Sequence, residues 1–329
     1  VIGKFLPPHR GHHHLIDAAL SRCERVSVIV CDKPEMRPEG TLRAAWLREV
    51  HPEAEVILID DHLPADDSRL WAENTRLILG KSPDVVFTSE DYGEPYARFL
   101  GCDHVLVDRE RVAVPCSGTL VRSAPLDNLD FLAPCVRAHY VRRVAIMGAE
   151  STGTTTLARS LAVLYDTVWV EEYGREYWIE KVRRGKEDVW TEDEFVHIAQ
   201  EQARREDLAA RTANRVLFCD TDAFATSLWF ERYLGRRSAK VEAVSAGRGY
   251  DLTFLTGAEI PFVQDGWRDG EHIRTDMHRR FVERLEEEGR PYVLLEGSLE
   301  RRLAEAKEAI DASLRQEPNV DPHAGTSAH

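Results

Sequence analysis

Short runs of β-branched and aliphatic residues alternate along the chain with longer stretches whose apolar positions recur at helical spacing. The runs predict strands over Val1–Phe5, Val26–Cys31, Val56–Ile59, Val85–Thr88 and His104–Val107. A second set covers Arg143–Met147, Thr167–Val170, Val216–Cys219, Leu252–Leu255 and Tyr292–Leu295. The amphipathic stretches predict helices that include Gly11–Cys23, Leu42–Val50, Ser68–Leu79, Thr155–Tyr165, Thr191–Thr212 and Asp276–Glu288. Strands that alternate with helices build parallel sheets covered on both faces. The expected fold class is therefore α/β, with two doubly wound parallel-sheet domains of about five strands each. A short helical piece at Asn128–Leu132 precedes the boundary, which is placed near Pro134–Val141. This gives domains over residues 1–136 and 141–314. Residues 315–329 lack apolar periodicity and are expected to form a disordered tail.

Composition narrows the classes of function. With 43% hydrophobic residues among 329, each half can bury a core. The net charge of −14 argues against unspecific nucleic-acid binding and against docking on an anionic membrane. No helix-turn-helix pattern precedes Val1, and the chain opens without methionine, so leading residues are expected outside the sequence. No apolar run reaches the roughly 20 residues of a membrane span, and no signal peptide is visible. The six cysteines form no C-x-x-C pair and read as reduced, mostly buried thiols of a cytoplasmic protein. Nothing in the pattern decides for or against a homo-oligomer.

The first candidate chemistry follows the first strand. Gly3-Lys4-Phe5-Leu6-Pro7-Pro8-His9-Arg10-Gly11-His12 leads into a helix, whose N-terminus offers free N–H groups and a positive dipole end to phosphate. Gly3 and Gly11 permit close backbone approach. His9 and His12 can face one anion together. About 110 residues on, Cys116-Ser117-Gly118-Thr119-Leu120-Val121-Arg122 starts another helix. There Ser117 and Thr119 can cap it and donate to phosphate, and Arg122 can reach the outer phosphates of a triphosphate. The bland alternatives are a histidine-rich loop and a capped helix.

The second candidate is Gly148-Ala149-Glu150-Ser151-Thr152-Gly153-Thr154-Thr155-Thr156, between a strand and a helix, with the spacing of a phosphate loop. Thr155 holds the magnesium-ligand position, but Thr154 stands where lysine is expected, and lysine normally neutralises the outer phosphates. Asp220 and Asp222 end an apolar strand. Asp220 is a metal-organising candidate, and either could accept a proton from an attacking hydroxyl. Glu172, Tyr173 and Arg175 lie past the next strand end, where substrates bind in such sheets, and Arg268 sits in a glycine-containing stretch able to close over a site.

His9-Arg10-Gly11-His12 with Ser117, Thr119 and Arg122 resembles the nucleotidyltransferase superfamily, in which an (H/T)-x-G-H motif pairs with I-S-x-T-x-x-R. Cys116 takes the place of the usual aliphatic residue. Arg43-Ala-Ala-Trp46-Leu47, Thr88–Gly93 and the run from Val107 to Arg122 extend the resemblance to the NadR family. So do the Gly148–Gly153 loop, Glu172-Tyr-x-Arg-Glu, Asp220-Thr-Asp222 and Gln264-Asp-Gly-x-Arg268. The resemblance implies a Rossmann-like adenylyltransferase that makes NAD and pyrophosphate from ATP and nicotinamide mononucleotide. It implies too a P-loop kinase-like half that phosphorylates nicotinamide riboside. His12 and Arg122 would stabilise charge on the phosphates, His9 and Lys4 would assist, and Gly3, Phe5, Gly11, Ser117 and Thr119 would line the ATP site. Mg²⁺ would be required. Trp46 or Trp71 could stack on the pyridinium ring. Thr154 leaves three readings of the second half open: substitution by another cation such as Arg268 or Arg274, binding without turnover, or slow turnover. The alternatives to the leading reading are transfer to another phosphorylated acceptor, and a nucleotide-sensing role for the second half.

Overall fold

The computed structural model describes residues 1–64, 66–185, 189–267 and 270–316. They form two compact units, one over Val1–Val136 and one from Arg137 onward. In the first, the elements are β1 (Ile2–Gly3), α1 (Arg10–Leu20), β2 (Ser27–Asp32), α2 (Gly40–Val50), β3 (Glu55–Asp60), α3 (Ser68–Leu79), β4 (Val85–Thr88), α4 (Gly93–Leu100), β5 (Asp103–Leu106) and α5 (Gly118–Ser123). Two 3₁₀ turns, Pro125–Asp127 and Leu129–Phe131, lead to α6 (Pro134–Tyr140), within which the division falls.

Alternating burial explains the layers. Val28 and Val30 of β2 pack with Leu15, Ile16 and Ala19 of α1 and Ala44 and Leu47 of α2. In β4, Phe87 joins that cluster while Val86 faces Ala72, Tyr96 and Ala97 of α3 and α4. Helices thus cover both faces. All pairs are parallel, but among the described residues the strands form a three-stranded sheet, β1-β2-β3, and a separate pair, β4-β5. This differs from the single five-stranded sheet expected here. The expected strand Val1–Phe5 shrinks to two residues because Phe5 adopts a φ of +49° and Pro7 and Pro8 have no N–H to donate. The chain leaves the sheet early so that it can turn toward α1.

The second unit contains β6 (Arg142–Met147), α7 (Thr154–Leu164), β7 (Trp169–Val170), α8 (Tyr173–Arg183), α9 (Glu192–Ala210), β8 (Val216–Asp220), α10 (Ala223–Leu234), α11 (Ala239–Ala246), β9 (Leu252–Thr256), α12 (Glu271–Glu287), β10 (Val293–Leu295) and α13 (Leu299–Arg315). Its sheet runs β10-β9-β6-β8-β7, all parallel. Val144 and Ile146 of the central strand meet α7 and α13 through Leu157, Leu161, Ala306 and Ile310. Ala145 and Met147 meet α10 and α12 through Phe224, Leu228, Met277 and Phe281 on the other face. A strand with both faces covered reads as a continuous apolar run, and each fully buried aliphatic or aromatic side chain contributes about 1.5–3 kcal/mol. The crossover from β6 leads past β8 to β7, whereas that from β8 returns past β6 to β9, so a crevice opens at the C-terminal ends of β6 and β8.

The tail expected from residue 315 begins one residue too early, since Arg315 completes the last turn of α13; residues 317–329 lie outside the described residues. Among the described residues no helix is long and apolar enough to cross a membrane. None of the six cysteines is in a disulfide, and Cys31, Cys116, Cys135 and Cys219 are buried.

Candidate functional sites

In the first unit the site begins with a helix cap. His9 is the N-cap of α1, with Nδ1 accepting the Gly11 N–H at 3.1 Å. His12, three residues on, accepts the His9 N–H on its own Nδ1 at 3.3 Å. A ring nitrogen that accepts carries no proton, so in each neutral imidazole the proton sits on Nε2. The two rings stack at 3.8 Å, and the Phe5 ring meets His12 edge-on at 5.0 Å. A Cβ on Gly11 would stand 3.0 Å from the His9 ring, so a larger residue there would have to shift that ring by a few tenths of an ångström. At Gly3 a Cβ would make only ordinary contact, so space does not demand that glycine.

The second motif folds onto the first. Ser117 caps α5 through the Leu120 N–H at 3.1 Å. Arg122 donates to the Leu6 carbonyl at 2.8 Å and to Thr119 Oγ1 at 3.3 Å. Cys116 Sγ lies 3.2 Å from His9 Nδ1. The histidine and arginine stretches therefore meet around the Leu6–His9 loop. Burial, then the fields of Arg111 and Arg122, lowers the His9 pKa to about 4. His12 lies well below its usual value, through burial and the neighbouring His9, His13, Arg111 and Arg122. The site thus offers neutral N–H donors flanked by exposed guanidinium groups.

Arg111 was missed in the sequence. Its placement depends on a loop in which Asp108 accepts the Ala113 and Val114 N–H groups, both at 3.0 Å. Lys4 is exposed in the segment between β1 and α1, and its carbonyl accepts from Arg43. Arg43 is fully buried and also donates to Pro38, Cys31 and Asp32, tying the loop to the end of β2. Of the two tryptophans, Trp46 is only 5% exposed and presents no open face in this conformation. Trp71 is half-buried, with its Nε1 donating to the Pro64 carbonyl at 3.0 Å.

In the second unit the loop after β6 closes around its glycines. Ser151 and Gly153 take φ values of +59° and +86°. Thr256 Oγ1 donates to Thr152 Oγ1 at 2.7 Å, and Thr152 donates to the Ala149 carbonyl at 2.6 Å. A Cβ on Gly148 would lie 2.2 Å from Thr256 Oγ1 and 2.6 Å from Thr152 Oγ1. Gly148→Ala is therefore expected to destabilise this unit by about 1–3 kcal/mol in a urea titration, the usual cost of overpacking. An unchanged midpoint would show that the loop yields freely.

Thr155 Oγ1 donates to Asp220 Oδ2 at 2.5 Å. Burial raises the Asp220 pKa against the opposing pull of the Thr155 and Thr154 hydroxyls. A cavity of about 190 Å³ opens beside the loop, lined by Glu150, Ser151, Thr154–Thr156, Glu172, Arg175 and Asp220. Aromatic side chains also line it, among them Trp178, Trp190, Trp229 and Tyr233. These four were missed. Trp229 and Tyr233 show helical spacing, but that spacing reads equally as core.

Three expectations need correction or limits. Asp222 does not line the cavity; it is 2% exposed and caps α10 by accepting the Ala225 N–H at 2.8 Å. Burial pushes its carboxyl up to about 7. Tyr173 is not among the lining residues either: its hydroxyl pairs with His197 at 3.0 Å and Arg205 lies over its ring. Arg268 lies outside the described residues. Arg175 is ion-paired with Asp265, and Arg274 donates to the Ser151 carbonyl at 3.3 Å.

Comparison with known proteins bears on the family and the fold. The AAA domain family profile matches residues 143–302. The chain is 30% identical over 322 residues to the trifunctional NAD biosynthesis/regulator protein NadR of Escherichia coli strain K12, covering 90% of this chain and 78% of that protein. Among solved structures, NadR in complex with NR superposes with a TM-score of 0.74 at 22% identity, over 97% of this chain and 96% of that one. NadR in complex with NAD and AMP-PNP superposes with 0.71 at 21% identity, over 95% and 94%. Matching sequence along nearly the whole length, and a shared fold across both units, make this chain a member of the NadR family of NAD-biosynthesis proteins.

Proposed function

We propose that the first unit transfers the adenylyl group of ATP to nicotinamide mononucleotide, and that the second phosphorylates nicotinamide riboside with ATP. The observation that carries the first half is the meeting of two neutral Nε2–H donors with Arg122 around one loop. Adenylyl transfer onto a phosphorylated acceptor needs no protein nucleophile. An acceptor phosphate oxygen attacks the α-phosphorus, the bond to the β-phosphate oxygen breaks, and pyrophosphate leaves. What the protein supplies is alignment and charge stabilisation. His12 and His9 donate hydrogen bonds without adding fixed charge, and Arg122, Arg111 and Lys4 supply the cations. Ser117, Thr119, Gly3, Phe5 and Gly11 shape the phosphate end. Trp71 has the more accessible face for the pyridinium ring.

For the second unit, the support is a phosphate loop that opens into a partly aromatic cavity. An aromatic lining that also holds Glu172 suits a cationic ring. The paired oxygens of Thr155 and Asp220 fit Mg²⁺, which takes few protein ligands and completes its shell with water and phosphate. When bound, the ion would neutralise charge on the transferred phosphoryl group. Asp220, not Asp222, is then the carboxylate available to the substrate hydroxyl. Similarity to a NadR protein solved with NR supports this choice of substrate.

The test is product analysis on the full chain, given ATP with nicotinamide mononucleotide, nicotinamide riboside and a panel of other phosphorylated acceptors. NAD from the mononucleotide, abolished by Arg122→Ala but kept by Asp220→Ala, is the expected result. Dinucleotide from another acceptor in its place would overturn the reading of the first unit. ATP binding at the second unit with no riboside phosphorylation would favour a sensing role there.

A further inference from the structure

The phosphate loop lacks its lysine, yet two arginines from distant helices hold its underside. Arg302 of α13 donates through Nη1 to the Thr152 carbonyl at 2.5 Å, and Arg274 of α12 reaches the Ser151 carbonyl at 3.3 Å. Both guanidinium groups are buried, at 3% and 4% exposure. Burying a guanidinium is costly, and an ordinary loop carbonyl does not need one. Arg302 is further held by the Gly257 carbonyl at 3.1 Å and by Glu259 at 2.7 Å. A Cβ on Gly257 would lie 2.2 Å from the Glu259 carboxylate, so a side chain there would push that carboxylate from its present place. The Glu259 contact is made through Nη2, leaving Nη1 for the loop.

The consequence lies one peptide further on. Gly153 is the N-cap of α7, so the N–H groups that follow have no partner within the helix. A guanidinium bonded to a peptide oxygen polarises that peptide and strengthens its N–H as a donor. Thr152 O and Gly153 N–H belong to the same peptide. Thr154 has a hydroxyl where a cation is expected, and that hydroxyl favours the charged form of Asp220.

We propose that Arg302, seconded by Arg274, supplies from beneath the loop the positive charge that Thr154 does not, as a positioning residue for the phosphates of a nucleoside triphosphate. The proposal rests on reading this loop as an ATP site. It makes the missing lysine a relocation of charge: the cation acts through the backbone and never touches the ligand.

The test is a double-mutant cycle between positions 302 and 154 on the full chain. Photolabelling with 8-azido-ATP in Mg²⁺, mapped by mass spectrometry to peptides beyond residue 137, gives the half-saturating concentration at the second unit alone. Arg302→Gln is expected to raise it roughly ten- to a hundredfold, the range for a lost charge-assisted bond. In a Thr154→Lys background, where an ammonium reaches the phosphates directly, the same change should cost less than about threefold. Equal losses in both backgrounds would mean that Arg302 is merely structural, and would overturn the proposal while leaving the ATP reading intact. Absence of saturable labelling in the unsubstituted protein would overturn both. Should Arg302→Gln fail to fold by circular dichroism, Arg274→Gln enters the same cycle with the same criterion.

Discussion

His12→Ala is expected to lower the rate of dinucleotide formation by roughly a hundred- to a thousandfold, the usual effect of removing one preorganised donor to developing charge. The reason is geometric. His12 Nδ1 is occupied by the His9 N–H at 3.3 Å, so its only proton is on Nε2. Its depressed pKa keeps it neutral at physiological pH, so the donor is present in nearly every molecule. If the bond strengthens as charge moves onto the phosphates, kcat falls and KM for ATP changes little. The same substitution removes half of the α1 capping box, at a cost of about 1 kcal/mol in stability. A thermal melt separates that loss from the catalytic one. His12→Asn keeps both an acceptor and a donor, though a shorter one, and should fall between the two proteins. Steady-state rates within threefold of the unsubstituted chain would remove His12 from the reacting phosphates.

Acid should destabilise the first unit well before the carboxylates titrate. His9 and His13 have pKa values lowered to about 4 and about 3. Burial is the main cause for both. Arg111 and Arg122 add to it for His9, and His51 and His9 for His13. His13 Nδ1 lies 2.9 Å from His51 Nε2 in a buried pair, and His51 faces Asp17 at 3.4 Å. In the unfolded chain both histidines titrate near 6.5. Above that value neither state binds the proton and the full stability is present. As pH falls below it, the unfolded state takes up protons that the folded state refuses, so stability is lost. At pH 5 each histidine has forfeited about 1.5 pH units, or about 2 kcal/mol. The pair therefore loses about 4 kcal/mol, and His12 adds in the same direction. Domains of this size are stable by only about 5–15 kcal/mol, so the effect should be large. Urea denaturation between pH 7.5 and 5, with limited proteolysis to report which unit opens, measures it. His13→Gln should flatten the slope. A first unit equally stable at both ends of that range would contradict the burial of these rings.

Much of the architecture was written into local pattern. Helix α3 runs from Ser68 to Leu79 as its apolar spacing predicts, with Asp67 capping it and Gly80 ending it in the left-handed conformation. The strand β6 and the Gly148–Gly153 turn that follows it could be read directly, because a fully buried strand is continuously apolar and a phosphate loop needs glycine at fixed positions. The two motifs of the first unit were legible as residue types suited to phosphate.

Their convergence was not, because it depends on how α5 packs against the loop before α1, and spacing along the chain carries no such information. Tertiary packing likewise turned Asp222 into a helix cap, sent the ring of Tyr173 to His197, and placed Trp178, Trp190, Trp229 and Tyr233 on a cavity wall. It also cut β1 to two residues, against the local β-propensity of Val1–Phe5. Arg302 is the clearest case. Nothing within its own helix marks it, and its partner Thr152 lies 150 residues away. Periodicity and capping act over a few residues and are visible in sequence. Which buried charge meets which carbonyl is decided only when distant elements share one core.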